Sequence, residues 1–463
     1  MCGIAGTSDT ILAAPVLYHL LHALQHRGQE SAGIFVWDGT SVQKQKGYGL
    51  VSEVFSDADL KRFTGTVGIG HVRYPTTGGS KPENIQPFHF LFRGHSLSVV
   101  HNGNLVNTEA LRDEYAGHGV TFSSTSDTEV IGTVLAGELV KGKSLEDAVL
   151  FALQKLSGSY AVICMLDGQL FGFRDPLGIK PFCMGKTKTG GYILASESAA
   201  LDAVGAELLR DVRPGEFVLV GTDGIVSSQL VKAESPAHCI FEYIYFARPD
   251  SILDGVSVYD VRRKTGEILA RESSADAEMV SPVPDSGTAS AVGFAKQSGI
   301  PFREALIKNR YTGRTFILPS QEKRELGVRM KLNPIRSHVQ NRSVILVDDS
   351  IVRGTTAKRI LSLVRDFGAA EIHLRIASPP VIAPCYLGTD FPTREELISS
   401  AKTVDEVRDI IGASTLAHVS LSGLIEASGL PREYLCLGCL TGVYPLEIAG
   451  EVCEKKKMCV YRR

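Results

Sequence analysis

The sequence predicts an α+β domain in which antiparallel sheets pack face to face, followed by an α/β domain with a parallel sheet. Two observations predict this division. Up to about residue 231, short β-type runs alternate with Gly, Asn and Asp turn signals, and only two helical patterns interrupt them. From about residue 237, strand and helix patterns alternate, which is typical of a parallel sheet covered by helices. The break at Glu234-Ser235-Pro236 places the boundary near 232–239.

The elements of the first half are recognised by their periodicity. Helical patterns with apolar residues three and four apart run over Ala13–Gln25 and Asp127–Leu139. The strand patterns are Val67–Val72, Leu97–Val100, Tyr160–Met165, Tyr192–Ala195 and Glu216–Val220.

The second half alternates regularly between the two kinds of element. The predicted order is helix Tyr259–Arg271, strand Met279–Val283, helix Thr288–Ser298, strand Val344–Val347, helix Thr356–Phe367 and strand Glu371–Ala377. We expect domains at 2–235 and 236–445, followed by a basic tail at 446–463 that forms a solvated chain end.

Composition excludes several classes of protein. The 463 residues are 44% hydrophobic and 22% charged, which is ordinary for a globular protein and unlike a disordered or fibrous chain. A net charge of −2 gives no general basic field for nucleic acid. No run of about 18 apolar residues predicts a membrane span. The first residues lack a signal-peptide pattern, and nine cysteines are an odd number, so we expect reduced thiols in a cytoplasmic protein.

Cys2 is the first candidate catalytic residue. Removal of Met1 would leave Cys2 with a free α-amine, which can act as the base for its own thiol. Taken alone, an ordinary second residue is the more common explanation. The surrounding motifs change that interpretation, because they resemble the glutaminase domain of the class II glutamine amidotransferases over about residues 2–230. The motifs are Cys2-Gly3-Ile4, the stretches 25–33, 71–78 and 101–104, and Ser126-Asp127-Thr128-Glu129.

The resemblance implies an N-terminal-nucleophile fold with four αββα layers, and it assigns a role to each motif residue. Cys2 would attack the glutamine amide, while the Asn102 side-chain amide and the Gly103 backbone N–H would form the oxyanion hole. Arg73 would pair with the substrate α-carboxylate, supported by Thr76, and Asp127 would hold the α-ammonium group. The motif assigns no chemistry to His71 and His101, which we expect to be structural, nor to Lys180, where relatives commonly have Arg.

A second candidate site follows the buried strand pattern Val344–Val347. Two acids at the carboxyl end of a parallel strand lie where α/β folds bind ligands, and the Gly354-Thr355-Thr356 start of a helix presents N–H groups to a phosphate. The acids suit ribose hydroxyls or Mg²⁺, so the combination predicts a sugar-phosphate site.

This stretch resembles the phosphoribosylpyrophosphate (PRPP) loop of the type I phosphoribosyltransferases, and residues 283–288 resemble their pyrophosphate loop. The resemblance implies Mg²⁺ held by Ser286, Asp348 and Asp349, and the basic segment 308–324 looks like the loop that closes over PRPP. The implied PRPP-binding residues are Asp285, Ser286, Gly287, Thr288, Asp348, Asp349, Ser350, Arg353, Gly354, Thr355 and Thr356.

Four cysteines of the second half are candidate metal ligands. Cys436 and Cys439 form a C-x-x-C pair, which Cys239 and Cys385 could complete to a set of four thiolates. That set fits either zinc or an iron–sulfur cluster, and the spacing does not separate them. The resemblance implies a 4Fe–4S cluster that ties the C-terminal segment to the domain boundary.

Together the two resemblances imply an enzyme that releases ammonia from glutamine and transfers it to C1 of PRPP. They further imply purine nucleotides as feedback inhibitors and a homotetramer, with no nucleic-acid or membrane partner. Two rivals remain at this point. A sugar-phosphate aminating synthase would lack the loop 348–356, and a PRPP-sensing regulator without catalysis would not need Cys2, Arg73, Asn102 and Asp127 together.

Overall fold

The structure is a computed structural model that describes residues 1–74, 79–221, 224–309, 332–391 and 393–453, with the backbone of 458–460. Thr76 and the larger part of the segment predicted to close over PRPP therefore lie outside the described residues. No helix within these ranges has both the length and the apolar character that crossing a membrane requires.

Two antiparallel sheets form the centre of the first domain. The first sheet has seven strands, in the spatial order Glu207–Asp211, Cys183–Lys186, Tyr192–Ala195, Gly3–Ser8, Val67–Arg73, Ser31–Trp37 and Val42–Tyr48. The second sheet has six, in the order Gly224–Gln229, Glu216–Gly221, Gln169–Arg174, Gly158–Leu166, His95–Leu105 and Phe88–Phe92. Side chains from both sheets, including Ile4, Ile69 and Ile163, share one buried apolar cluster, so the sheets pack face to face.

Helices cover the outer faces of both sheets. Ala13–Ala23 and Ser198–Ala203 pack on the first sheet, and Asp127–Val140 and Leu145–Lys155 pack on the second. This gives the four αββα layers that the sequence predicts. The helix Ala13–Ala23 buries Leu17, Leu20 and Leu21 on one side, as the apolar spacing of three and four residues requires. Shorter helices lie at Val51–Val54, Asp57–Leu60 and Thr108–Gly117.

The second domain is built on a four-stranded parallel sheet. Its spatial order is Met279–Pro282, Ser343–Asp348, Glu371–Ile376 and Thr415–His418. The inner strand Ser343–Asp348 has an uninterrupted apolar run because helices bury both of its faces. Val258–Glu272, Thr288–Ser298 and Leu421–Ser428 contribute to the cluster on one face, and Thr355–Asp366 and Val404–Ile411 contribute to the cluster on the other. The predicted α/β class is confirmed, with element ends within one or two residues of those expected.

The C-terminal segment differs from its prediction as a solvated chain end. The strand Met458–Val460 pairs antiparallel with Val231–Ala233, and Val452–Cys453 pairs with Val443–Tyr444. The short tail thus adds a strand beside the end of the first domain. Its sequence shows no strand signal strong enough to predict this, because three residues leave no room for a period-two pattern. Further strand pairs in the described residues are His238–Cys239 with Leu435–Cys436, Ile252–Leu253 with Val256–Ser257 and Leu306–Lys308 with Leu332–Pro334, and further short α-helices are Arg336–Val339 and Gly438–Thr441.

A buried charge network joins the two halves of the chain. Arg174 of the second sheet donates to both oxygens of Asp254, at 2.7 and 2.9 Å, and is fully buried. His238 lies 3.0 Å from the same carboxylate. Asp211 accepts from the backbone N–H of Gly255 at 3.3 Å, and burial together with the nearby Asp254 raises the pKa of Asp211 to about 6.

We expect Asp211→Asn to stabilise the protein more at pH 8 than at pH 5. The native pKa lies above the unfolded value, so proton binding stabilises the native state at low pH, and this contribution is lost as pH rises through 6. The gain in free energy of unfolding should be larger at pH 8 than at pH 5 by about 1 kcal/mol. Denaturant titrations at both pH values measure it, with exposed Asp113→Asn as the control. An equal gain at both pH values would contradict the assignment.

Candidate active site

Cys2 is buried and directly precedes Gly3–Ser8, the middle strand of the first sheet. The strand Gly3–Ser8 places it beside Val67–Arg73, whose register pairs Gly3 with Val72. The backbone N–H of Cys2 donates to Asn102 Oδ1 at 3.0 Å, and the Cys2 carbonyl oxygen accepts from Arg27 Nε at 2.9 Å. The Cys2 thiol lies 3.8 Å from the carbonyl oxygen of Tyr74. Both ends of the Cys2 residue are therefore held by side chains from other segments.

Asn102 has an unused donor, and Gly103 holds a backbone conformation that requires glycine. With Oδ1 occupied by Cys2, the buried Nδ2 of Asn102 has no hydrogen-bond partner among the described residues. A buried donor without a partner costs free energy, which is tolerated where a ligand supplies the acceptor. Gly103 has φ +149, and a Cβ there would lie 2.0 Å from the Ser159 carbonyl oxygen, so the position requires glycine.

Two charged residues flank this nucleophile region. Arg73 is 4% exposed and donates to Glu30 Oε2 at 2.8 Å and to the Gly79 carbonyl at 2.9 Å. Asp127 begins the helix Asp127–Val140 and accepts from the backbone N–H of Leu105 at 3.1 Å. Burial acts to raise the pKa of Asp127, but His101 and the backbone N–H groups outweigh it, and the pKa falls below its ordinary value. Asp127 is thus available as an anion for an ammonium group.

The two histidines that we expected to be structural, His71 and His101, have different surroundings. His71 is fully buried, and burial lowers its pKa well below the ordinary value, so it packs as a neutral ring. His101 lies 3.5 Å from Asp127 and takes part in holding that carboxylate.

Lys180, to which the motif assigned no chemistry, lies near Cys2. Its fully buried ammonium group lies 2.9 Å from Met1 Sδ, next in the chain to Cys2. Burial raises the pKa of the Cys239 and Cys436 thiols, and the charge of Lys180 opposes that rise.

A cavity of about 740 Å³ opens at the carboxyl end of the parallel sheet. The strand Ser343–Asp348 ends in it, and the helix Thr355–Asp366 begins beside it after Gly354, whose φ is +74. Of the residues predicted to bind PRPP, those that line the cavity are Asp285, Ser286, Asp348, Asp349, Ser350, Arg353, Gly354, Thr355 and Thr356. Gly287 and Thr288 lie at the start of the helix Thr288–Ser298 and do not line it.

The two acids at the strand end are buried side by side. Burial and the neighbouring Asp349 raise the pKa of Asp348 well above its ordinary value. Burial also raises the pKa of Asp349, against the opposing effects of the Ser286 and Ser350 hydroxyls and of Arg262. In the part of the chain that the structure describes, no Lys or Arg forms an ion pair with either carboxylate. A buried acid pair of this kind is stabilised when a cation binds.

The cavity also has lining residues that the sequence did not assign to it. His26 and Tyr74 of the first domain and Tyr245, Arg248 and Arg262 of the second all line it. Tyr245 and Arg248 lie just beyond the predicted domain boundary, in a stretch for which the sequence predicted no ligand site. Both domains therefore contribute residues to the wall of this cavity.

The four candidate cluster cysteines converge from separate segments. Cys239 and Cys436 are register partners in neighbouring parallel strands, and the backbone N–H groups of Ile382 and Ala383 donate to the Cys439 carbonyl at 3.0 and 3.1 Å. Cys385 follows directly on that segment. Burial, then Cys385, Cys239 and Cys436, raise the pKa of the Cys439 thiol well above its ordinary value. The four thiols are thus neighbours, and they are unpaired as disulfides.

Comparison with known proteins agrees with both halves of this description. A family model described as a glutamine amidotransferase domain matches residues 74–203. The chain is 50% identical over 459 residues to the amidophosphoribosyltransferase of Archaeoglobus fulgidus, covering 98% of this chain and 100% of that protein. It is 44% identical to the amidophosphoribosyltransferase of Bacillus subtilis, covering 96% and 94% respectively.

A solved structure has the same fold over nearly the whole chain. It is the glutamine PRPP amidotransferase from B. subtilis complexed with ADP and GMP, with a TM-score of 0.90 and 42% identity over 97% of this chain and 98% of that one.

A glutaminase-type nucleophile region joined to a phosphoribosyltransferase fold defines a glutamine-dependent phosphoribosyl-transferring enzyme. The full-length identity then places the chain in one family: it belongs to the amidophosphoribosyltransferases. Its reaction converts glutamine, PRPP and water to 5-phosphoribosylamine, glutamate and pyrophosphate, the first step of purine nucleotide synthesis. The full-length match to enzymes of this name disfavours both rivals, the PRPP-sensing regulator and the sugar-phosphate aminating synthase.

Proposed function

We propose that Cys2, freed of Met1, is the nucleophile that takes the glutamine side chain as a thioester and releases ammonia. The unpartnered Nδ2 of Asn102 is the observation that supports this most directly, since it would donate to the oxyanion beside the Gly103 N–H. Asn102 Oδ1 would keep its bond to the nitrogen of Cys2 once that nitrogen is an α-amine. Arg73, with Thr76, would bind the substrate carboxylate, and Asp127 would bind its ammonium group.

We propose that the acceptor half binds PRPP in the 740 Å³ cavity. Asp348 and Asp349 would hold the ribose hydroxyls, and the loop from Ser350 to Thr356 would hold the 5′-phosphate at the start of its helix. The pyrophosphate would lie along Asp285, Ser286, Gly287 and Thr288. Ammonia from Cys2 would then attack C1 of the ribose as pyrophosphate departs.

We propose Mg²⁺ as the cation of this site, held by Ser286, Asp348 and Asp349. The donor set fits, because it consists of oxygen atoms and its two carboxylates are buried without an ion-pair partner in the described residues. Bound Mg²⁺ would neutralise the charge of the departing pyrophosphate.

We propose that Cys239, Cys385, Cys436 and Cys439 hold a structural 4Fe–4S cluster. All four are thiols, and burial raises the pKa of Cys436 to about 12, so the site favours neutral thiols unless metal compensates the thiolate charge. Within the described ranges no three His, Cys, Asp or Glu side chains are grouped closely enough to hold a metal ion. Four thiolates fit either zinc or an iron–sulfur cluster, and the metal content of the purified protein separates the two.

Cys436→Ser should lose iron and acid-labile sulfide and lower the unfolding temperature. The cluster would connect Cys239 at the domain boundary to the C-terminal segment, so its loss should cost about 5 °C or more. Elemental analysis and thermal unfolding of anaerobically purified protein measure both effects. Cys453→Ser, outside the proposed ligand set, should keep the iron. Full iron content in Cys436→Ser, or zinc in the parent protein, would contradict the cluster.

We propose that the domains extend over 2–235 and 236–445, and that purine nucleotides inhibit the enzyme as a homotetramer. The B. subtilis structure in complex with ADP and GMP supports the nucleotide proposal. A cytoplasmic location is supported by the cysteines with described side chains, none of which forms a disulfide.

One stoichiometry experiment tests the function as a whole. Anaerobically purified protein with glutamine, PRPP and Mg²⁺ should form glutamate and pyrophosphate in equal amounts. Omitting Mg²⁺ should stop pyrophosphate release. Glutamate formation without pyrophosphate would show that the two halves do not operate together.

A further inference from the structure

We propose that Glu242, a residue of the second domain, positions Cys2 by holding Arg27. The proposal rests on the role proposed above for Cys2, and it makes the glutaminase site incomplete without the phosphoribosyltransferase half. The sequence alone suggested only that Arg27 is scaffold near the nucleophile.

Arg27 connects the nucleophile directly to two carboxylates. Its Nε donates to the Cys2 carbonyl oxygen at 2.9 Å. Its Nη1 and Nη2 donate to the two oxygens of Glu242 at 2.9 and 2.6 Å, and Nη1 also contacts Glu197. Arg27 and Glu197 are fully buried, and Glu242 is 2% exposed. All five N–H groups of a guanidinium lie in one plane, so a bidentate carboxylate fixes the direction in which Nε points.

The two carboxylates come from different domains. Glu197 belongs to the first domain, where it also accepts from His26 Nε2 at 2.8 Å. It further accepts from the Arg248 N–H at 2.9 Å and the Ser251 hydroxyl at 2.8 Å. Glu242 has Arg27 as its ion-pair partner among the described residues. Loss of Glu242 would therefore free one side of Arg27, while Glu197 keeps the guanidinium charged and paired.

Glu242 is itself anchored by the wall of the PRPP cavity. It begins the short helical segment Glu242–Phe246. Arg262 donates to the Tyr243 carbonyl and to the Ala247 carbonyl, each at 2.7 Å, which fixes both ends of that segment. Arg262 and Tyr245 line the cavity. Arg262 in the cavity wall thus holds the backbone of the segment that carries Glu242, and Glu242 in turn holds Arg27 against Cys2.

The hydrogen bonds that hold Cys2 would affect catalysis through the orientation of its thiol. The Cys2 residue is held at its nitrogen by Asn102 and at its carbonyl by Arg27, so both bonds set where the thiol meets the glutamine amide. A displacement of about 1 Å in such an arrangement can cost on the order of 100-fold in rate. Glu242 does not touch the substrate and acts only through Arg27.

The test is Glu242→Gln in the full-length protein, compared with Glu216→Gln. Glu216 is a matched control, because it is a buried glutamate that takes a bidentate pair from Arg210 at 2.8 and 2.8 Å, on a strand of the second sheet. For Glu242→Gln we expect kcat with glutamine to fall by about 10- to 100-fold with a smaller change in KM. The ammonia-dependent rate should stay within about twofold. Glu242→Asp, which keeps the charge, should recover part of the loss.

A second readout follows Cys2 itself. A glutamine analogue with an electrophilic side chain should alkylate Cys2 more slowly in Glu242→Gln than in Glu216→Gln, at equal thermal stability. Equal labelling and equal kcat in the two variants would overturn the proposal. If Cys2→Ala kept glutamine-dependent activity, the nucleophile assignment would fail first; if only Glu242→Gln behaved as wild type, the positioning role alone would fail.

Discussion

Replacing Cys2 by alanine is expected to abolish the glutamine-dependent reaction and to preserve the reaction with free ammonia. The thiol is the only group of this residue that can form a thioester, so pyrophosphate release with glutamine should fall by at least about 10³-fold. The ammonia-dependent rate should remain within about twofold, because Cys2→Ala leaves the cavity at residues 348–356 untouched.

Pyrophosphate release measured with glutamine and, separately, with ammonium chloride distinguishes these results. Cys453→Ala is the matched control, since it removes a half-buried thiol outside the residues assigned to either reaction. Glutamine-dependent turnover that survives in Cys2→Ala would exclude Cys2 as the nucleophile. Loss of the ammonia reaction as well would mean that the substitution disturbs the fold.

Local patterns were sufficient to predict the strand and helix that meet at the cavity, but not the strand Gly3–Ser8 that follows Cys2. The strand Val344–Val347 is apolar throughout because the sheet buries both faces, and the Gly-Thr-Thr sequence that starts the next helix is itself a local signal. The motif residues Cys2 and Asn102 were also predicted as site residues, and the 3.0 Å hydrogen bond between them joins segments 100 positions apart. Their pairing came from the resemblance, and the structure shows the contact.

Pairings between distant segments without a motif could not be predicted. Arg27 and Glu242 are 215 positions apart, and nothing in the sequence around either residue predicts a buried ion pair between them. The same is true of Lys180 beside Met1 and of the tail strand Met458–Val460. Each depends on where the two domains and the chain end meet, which is a property of tertiary packing and not of local periodicity. The contacts at the domain junction are therefore the part of the structure that the sequence predicts least well.

Asp349→Asn, unlike Cys2→Ala, is expected to impair the reaction with free ammonia as well as the reaction with glutamine. It should reduce pyrophosphate release by about 10²-fold or more with glutamine and with ammonia alike, because one of the two carboxylates assigned to the ribose hydroxyls and Mg²⁺ is lost. Alkylation of Cys2 by an electrophilic glutamine analogue should continue, since Asp349 does not contact the nucleophile region.

The stability of this variant separates a functional role from a structural one. Asp348 and Asp349 are 8% and 7% exposed and lie adjacent, so ionising both would bury two like charges together, without an ion-pair partner in the described residues. Replacing one of them by a neutral isostere relieves that repulsion, and Asp349→Asn should unfold at the same temperature as the parent protein or at a higher one. A residue kept for stability would show the reverse. Thermal unfolding without ligand, beside exposed Asp405→Asn as control, measures this. Reduced stability together with reduced activity would indicate a structural acid, whereas lost activity with unchanged or increased stability would assign Asp349 to the reaction.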